Sequence, residues 1–171
     1  MVLLAFVVAV SPENTPEKIA QAEEQITRGM DWARKGDAQL AISSFDEAIK
    51  LAPEMAQAYH QRGKAYSILD QREQAIQDFD DAIRLDPQNA QVFFSRGVSL
   101  DVLGEYQRAK SDYDEAIRLD PDDGVAYYNR TIVHTRLGMD REAQADADRA
   151  DGLGFDPSLL ENAMNAARAE R

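Results

Sequence analysis

Few residues in this chain have the type and spacing to do chemistry. There are two histidines, His60 and His134, and no cysteine among 171 residues. Without cysteine there are no disulfides, thiolate metal sites or Cys nucleophile, and the redox compartment is left open. The histidines stand far apart, and no HExxH, GxSxG or phosphate-binding glycine loop accompanies them. The acidic runs Asp78-Phe79-Asp80-Asp81 and Asp120-Pro121-Asp122-Asp123 lack the spacing and glycine of a calcium loop, so they read as solvated faces and caps. The expectation is a chain that is not an enzyme and holds no metal or cofactor.

Arginine does recur at fixed spacing. Arg28, Arg62, Arg96 and Arg130 stand 34 residues apart, and Asp78, Asp112 and Asp146 repeat with the same period. Such a column is either a polyanion track or one half of a set of ion pairs. Asp and Glu outnumber Lys and Arg by 31 to 19, a net charge of −12, which repels phosphate backbones and anionic membrane surfaces. The pairs are therefore expected inside the protein, each adding little if exposed.

The same period governs the elements that carry these residues. FDEAIKLAP at Phe45 to Pro53 returns as FDDAIRLDP at Phe79 and YDEAIRLDP at Tyr113, which marks a repeated supersecondary unit. Frames opening at Ala22, Ala56, Ala90 and Gly124 align small residues at the eighth position (Gly29, Gly63, Gly97, Thr131) and at the twentieth (Ala41, Ala75, Ala109, Ala143). Large residues fill the flanks: Tyr59, Phe93 and Tyr127 at the fourth position, and Phe45, Phe79 and Tyr113 at the twenty-fourth. Ala109, Tyr113, Ala116 and Ile117 share one face of a helix. Small residues where antiparallel helices cross let the backbones approach. Gly36, Gly104 and Gly138 supply turns, with Asp70 in that place in the second unit. Pro53, Pro87 and Pro121 close units, and Thr15, Asn89 and Asp123 are offered as N-caps.

A helix–turn–helix unit with this pattern resembles the tetratricopeptide repeat, from Ala22 to about Phe155. The resemblance implies an all-α, right-handed superhelical solenoid of antiparallel helix pairs, with four repeats (22–55, 56–89, 90–123, 124–156) and a C-terminal capping helix in 157–171. The first helix is expected to run from Thr15 to about Lys35. The fourth unit departs from the pattern, with Thr131 for Gly, Ala147 for the aromatic and Phe155 for Pro, as a terminal repeat does. Leu159, Leu160, Met164 and Ala167 read as the sealing face of the cap.

The resemblance also implies that each unit's first helix lines a concave groove holding partner peptides. By position, the groove set is Ile26, Met30, His60, Lys64, Phe94, Ser95, Val98, Tyr128, Asn129 and Ile132. Phe94, Val98, Tyr128 and Ile132 form an apolar stripe that either faces a ligand or packs between repeats; burial decides. A subset of the family clamps carboxylates with Lys, Asn and Arg, but this chain places Ile26, Met30, Gln61, Gln91 and Ser95 there. A frame shifted by one unit keeps only Lys64 and Asn129. The expected function is thus a protein-interaction module reading a peptide through apolar pockets with polar rims. The alternative is a self-associating scaffold, a homo-oligomer formed through the array's ends or its N-terminus.

That N-terminus, 1–14, carries a nine-residue apolar run, Val2–Val10, too short to span a bilayer. It reads either as the core of an export signal missing its basic end, with an exported location, or as a tail packed on the first helices.

Overall fold

The computed structural model describes residues 15–170. The expectations for the apolar run and for export fall on Val2–Val10, outside the described residues. Nine helices and no strands are found among the described residues: α1 (Pro16–Arg34), α2 (Ala38–Leu51), α3 (Ala56–Ile68), α4 (Arg72–Leu85), α5 (Ala90–Val102), α6 (Tyr106–Leu119), α7 (Gly124–Arg136), α8 (Asp140–Gly152) and α9 (Pro157–Ala169). None is long and apolar enough to cross a membrane.

The helix starts follow local chemistry. The Thr15 side chain accepts from the Lys18 N–H at 3.3 Å, with Pro16 in the first turn. Asp123 accepts from the Val125 and Ala126 N–H groups at 2.9 and 3.2 Å. Asn89 occupies the N-cap position of α5, but its side chain makes no capping bond; the Val92 N–H donates to the Asn89 carbonyl at 3.1 Å. Asp70 takes the glycine's role with φ 59°, a left-handed conformation that Asp tolerates better than most residues.

Each first helix packs on its own second helix, and each second helix on the next first helix. Successive first helices also touch one another, whereas successive second helices do not among the described residues. The first helices therefore form the inner layer of the array and the second helices the outer one. α9 packs chiefly on α7, as a fifth first helix without its partner, and buries Leu160, Met164 and Ala167. Leu159, expected on the sealing face, is instead exposed: it is turned about 100° round the helix from Leu160, off the buried stripe of Leu160, Met164 and Ala167.

The small eighth position has a more particular cause than close backbones. A Cβ at Gly29 would lie 2.4 Å from the Phe45 ring, at Gly63 2.6 Å from Phe79, and at Gly97 2.8 Å from Tyr113. Glycine there makes room for the aromatic at the twenty-fourth position. The fourth unit reverses the exchange: Thr131 is large where glycine stood, and Ala147 is small where the aromatic stood. A second exchange joins Gly124, in place of alanine, to Phe155, in place of proline; a Cβ at Gly124 would lie 2.9 Å from that ring. The unit's departures are thus compensated in pairs, and the core stays filled.

The N-terminal end is polar. Where later units place Ala58, Val92 and Ala126 against the preceding helix pair, the first has exposed Glu24, and beside it Gln25 replaces the aromatic. At the other end Asn165 takes the glycine position of α9 and is exposed.

Candidate interaction face

The inner layer presents the second, sixth, ninth and thirteenth positions of the first helices, joined by the fifth position in α5 and α7, neighbours at i+3 and i+4 spacing. Of the residues expected in a groove, Met30 and Lys64 are exposed. Phe94, Val98, Tyr128 and Ile132 are half-buried. Phe94 packs on Tyr113 with ring centroids 5.8 Å apart, and Tyr128 stacks on Phe155 at 5.5 Å. The apolar stripe therefore has one side in the core and one side toward solvent. Ile26 and His60 are 3% and 9% exposed, so they lie beneath the face and cannot be reached from it.

The polar members are mostly occupied by their own helices. The Ser95 hydroxyl donates to the Gln91 carbonyl at 2.7 Å, and the Asn129 amide to the Val125 carbonyl at 2.8 Å. His60 Nε2 lies 3.1 Å from Ser95 Oγ; since that hydroxyl's proton is used, Nε2–H is the donor, joining α3 to α5. Burial first and the neighbouring Lys64 second push the His60 imidazole down to about 4, so it is neutral near pH 7.

Two residues of the face are not in the sequence-derived set. Ile68 is 65% exposed and Val102 59%, at the thirteenth position, one turn beyond Lys64 and Val98. Large aliphatic side chains so open to water at the same place in adjacent units form a patch. Their i+4 relation to Lys64 and Val98 was the available signal. Beyond them, Arg136 bonds Asp101 at 2.7 Å and Glu170 at 2.9 Å, closing the face's C-terminal end with paired charges.

The arginine column lies apart from this face, within the helix pairs. Arg62, Arg96 and Arg130 each grip their own unit's Asp78, Asp112 or Asp146 through Nε and Nη2, at 2.6–2.9 Å. The remaining Nη1 donates to Asp46, Asp80 or Asp114 of the preceding unit. The pairs lie within the protein, as expected, and they are not exposed: the gripped aspartates are buried, and the guanidinium carbons lie 5.5–5.8 Å from the ring centroids of Tyr59, Phe93 and Tyr127. Arg28 has no such rung, because Ser44 stands where the other units carry Asp; its bond is to Glu24, 3.8 Å away in its own helix.

Burial raises the Asp78 carboxyl above the usual range despite Arg62. In Asp146 burial acts the same way, but His134 and Arg130 together outweigh it and hold the group below that range. His134 Nδ1 is 2.9 Å from Asp146 Oδ2, so the residue expected to do no more than pack also faces a charge. No group of three or more His, Cys, Asp or Glu side chains that could hold a metal is gathered among the described residues.

Paired helices stacked in 34-residue units, with their first helices on a shared inner face, define a helical-repeat solenoid. The chain carries tetratricopeptide repeats: the family's model matches residues 56–89 and again residues 90–123. Among solved structures it is similar to MamA (TM-score 0.74, 25% identity, 77% of each chain covered). It is also similar to the OM64 tetratricopeptide-repeat domain of Arabidopsis (0.67, 26%, 68% of this chain and 97% of that one). A third is YrrB, described as having an unusual peptide-binding site (0.78, 19%, 91% and 79%), where the likeness is one of fold. Comparison with curated proteins returned no match in sequence.

Proposed function

We propose that this chain is a non-enzymatic interaction module that holds an extended, largely apolar segment of a protein partner against the inner face of α3, α5 and α7. The observation that carries the reading is the exposure of Ile68 and Val102 beside the half-buried Phe94, Val98, Tyr128 and Ile132. An apolar strip of this kind, with Lys64 and Asn129 at its borders, suits alternate side chains of an extended peptide. Peptide binding by the YrrB structure, which shares the fold, is consistent with this use.

The test compares wild type with Ile68→Glu/Val102→Glu, two exposed positions where the new charges do not disturb the core. Partners are captured from the host, and the bound segment is then titrated calorimetrically as a synthetic peptide. Affinity is expected to fall at least about tenfold in the variant, the effect of losing roughly 1.4 kcal/mol. Equal affinity for both proteins moves the working surface elsewhere.

A further inference from the structure

Apolar exposure on the inner face does not end with Ile68 and Val102. Val125 is 46% exposed and Leu159 57%, each at the second position of its helix, α7 and α9. Eleven residues make three helical turns to within about 20°, so Val125 shares one line of α7 with Arg136, and Leu159 one line of α9 with Glu170. The 2.9 Å bond from Arg136 Nε to Glu170 Oε2 joins those lines at their far ends. Val125 and Leu159 therefore stand side by side at the near ends.

The apolar surface thus crosses the array obliquely, from Ile68 late in α3, through Val98, Val102 and Ile132, to Val125 and Leu159 early in α7 and α9. The two corners it misses are polar: Gln57 and Gln91 early in α3 and α5, and Arg136 with Glu170 late in α7 and α9. Three interhelix steps of roughly 10 Å, with eleven residues of roughly 1.5 Å rise, give a path of about 34 Å, or about ten residues of extended chain.

The charges near this path are mostly spent. Glu23 and Arg34 belong to α1, which the path does not cross, and Arg34 is held by Asp31 at 2.8 Å. Arg136 is held by Asp101 and Glu170, and Asp70 by Arg72 at 3.1 Å. Asp123 and Asp156, at the other end, accept from the first N–H groups of α7 and α9. Lys64, one turn before Ile68, is exposed and forms no salt bridge among the described residues. A segment on the path meets one uncompensated cation, at its α3 end.

We propose that the occupant of this oblique path is an extended partner segment of about ten residues, apolar at alternate positions, with a carboxylate at the end that lies beside Lys64. The proposal rests on the inner face being the working surface. It makes α9 part of that surface as well as the cap of the array, and gives the exposed Leu159 an occupation.

The probe is a library of random twelve-residue peptides displayed on phage and selected on the full chain, the consensus then being made synthetically for calorimetry. Enriched sequences are expected to alternate apolar residues and to carry Asp or Glu near one constant end. Enrichment of no common pattern, or of basic residues at that end, overturns the proposal. Val125→Ser/Leu159→Ser is expected to weaken the consensus peptide at least about tenfold. Gln57→Ser/Gln91→Ser, at the same positions of α3 and α5 but beside the path, should change it less than about twofold. All four positions are exposed, and equal helical circular dichroism checks that the variants fold. Lys64→Glu should weaken binding about fivefold and be rescued by a peptide with Lys in place of its acidic residue; without that rescue the carboxylate assignment is wrong. If Ile68→Glu/Val102→Glu loses the peptide while Val125→Ser/Leu159→Ser keeps it, the inner face still holds the segment and the oblique path is wrong. If no inner-face variant changes the affinity, the inner face is not the working surface.

Discussion

His60 shows how one side chain links the face to the stability of the array. Its neutral imidazole donates to Ser95 across two units, and burial with Lys64 depresses its pKa to about 4 from the ordinary 6.5. In the unfolded chain the imidazole takes up its proton near 6.5; in the folded chain it does so only near 4. Its contribution is therefore intact above the unfolded value and declines as pH falls toward the folded one, by about 2 kcal/mol at pH 5. We predict that urea midpoints drop between pH 7 and pH 5 and that His60→Gln removes most of that slope. A slope unchanged in the variant would mean that the imidazole protonates freely in the folded state. At this scale the sequence was only partly legible. Position alone placed Ile26 and His60 in a groove, but one helical turn turns a residue from the face to the layer beneath it, and a single sequence does not mark where that boundary falls. Ile68 and Val102 went unnoticed for the complementary reason: an aliphatic residue at a helix end reads as core until its exposure is known.

At the scale of the element, the pairing of a small eighth position with a large twenty-fourth is the rule that each unit obeys, and the fourth unit obeys it inverted. Gly97→Thr forces a side chain against the Tyr113 ring, where even a Cβ would be 2.8 Å away, and should cost about 3 kcal/mol. Tyr113→Ala empties a fully buried site and should cost about 4 kcal/mol. The double substitution copies Thr131 and Ala147, and its cost is expected to fall below the sum of the singles by at least about 1 kcal/mol, a coupling read from a double-mutant cycle in chemical denaturation. Strict additivity would show that the two positions do not share one space. Helix number, order and approximate bounds were readable because capping residues, glycine turns and the 34-residue period all agree. The reason for the glycines was not, since a ring's approach is set by tertiary packing and leaves only the covariation of two distant positions as its trace.

For the whole molecule, the ladder of Arg62, Arg96 and Arg130 links the four units in series, because every rung holds a carboxylate from each of two adjacent units. Asp112→Ser, which copies Ser44 of the first unit, leaves Arg96 half-buried with Asp80 alone. Stability should fall by about 3 kcal/mol, and the urea transition should broaden as the two halves begin to unfold separately. A small loss with an unchanged slope would show that apolar packing alone couples the units. The recurrence of Arg and Asp announced the ladder, while its burial and its reach into the preceding unit came only with the fold.

The same ladder bears on how such a gene can change length. An unequal crossover that removes the 34 codons of residues 90–123 would bring Arg130 beside Asp80 in place of Asp114, with Asp146 still its own partner, and the rung would close again. A duplication of that block closes in the same way. The first unit, with Ser44 in place of the aspartate, does not offer this equivalence, so recombination can lengthen or shorten the array beyond it while that end stays what it is.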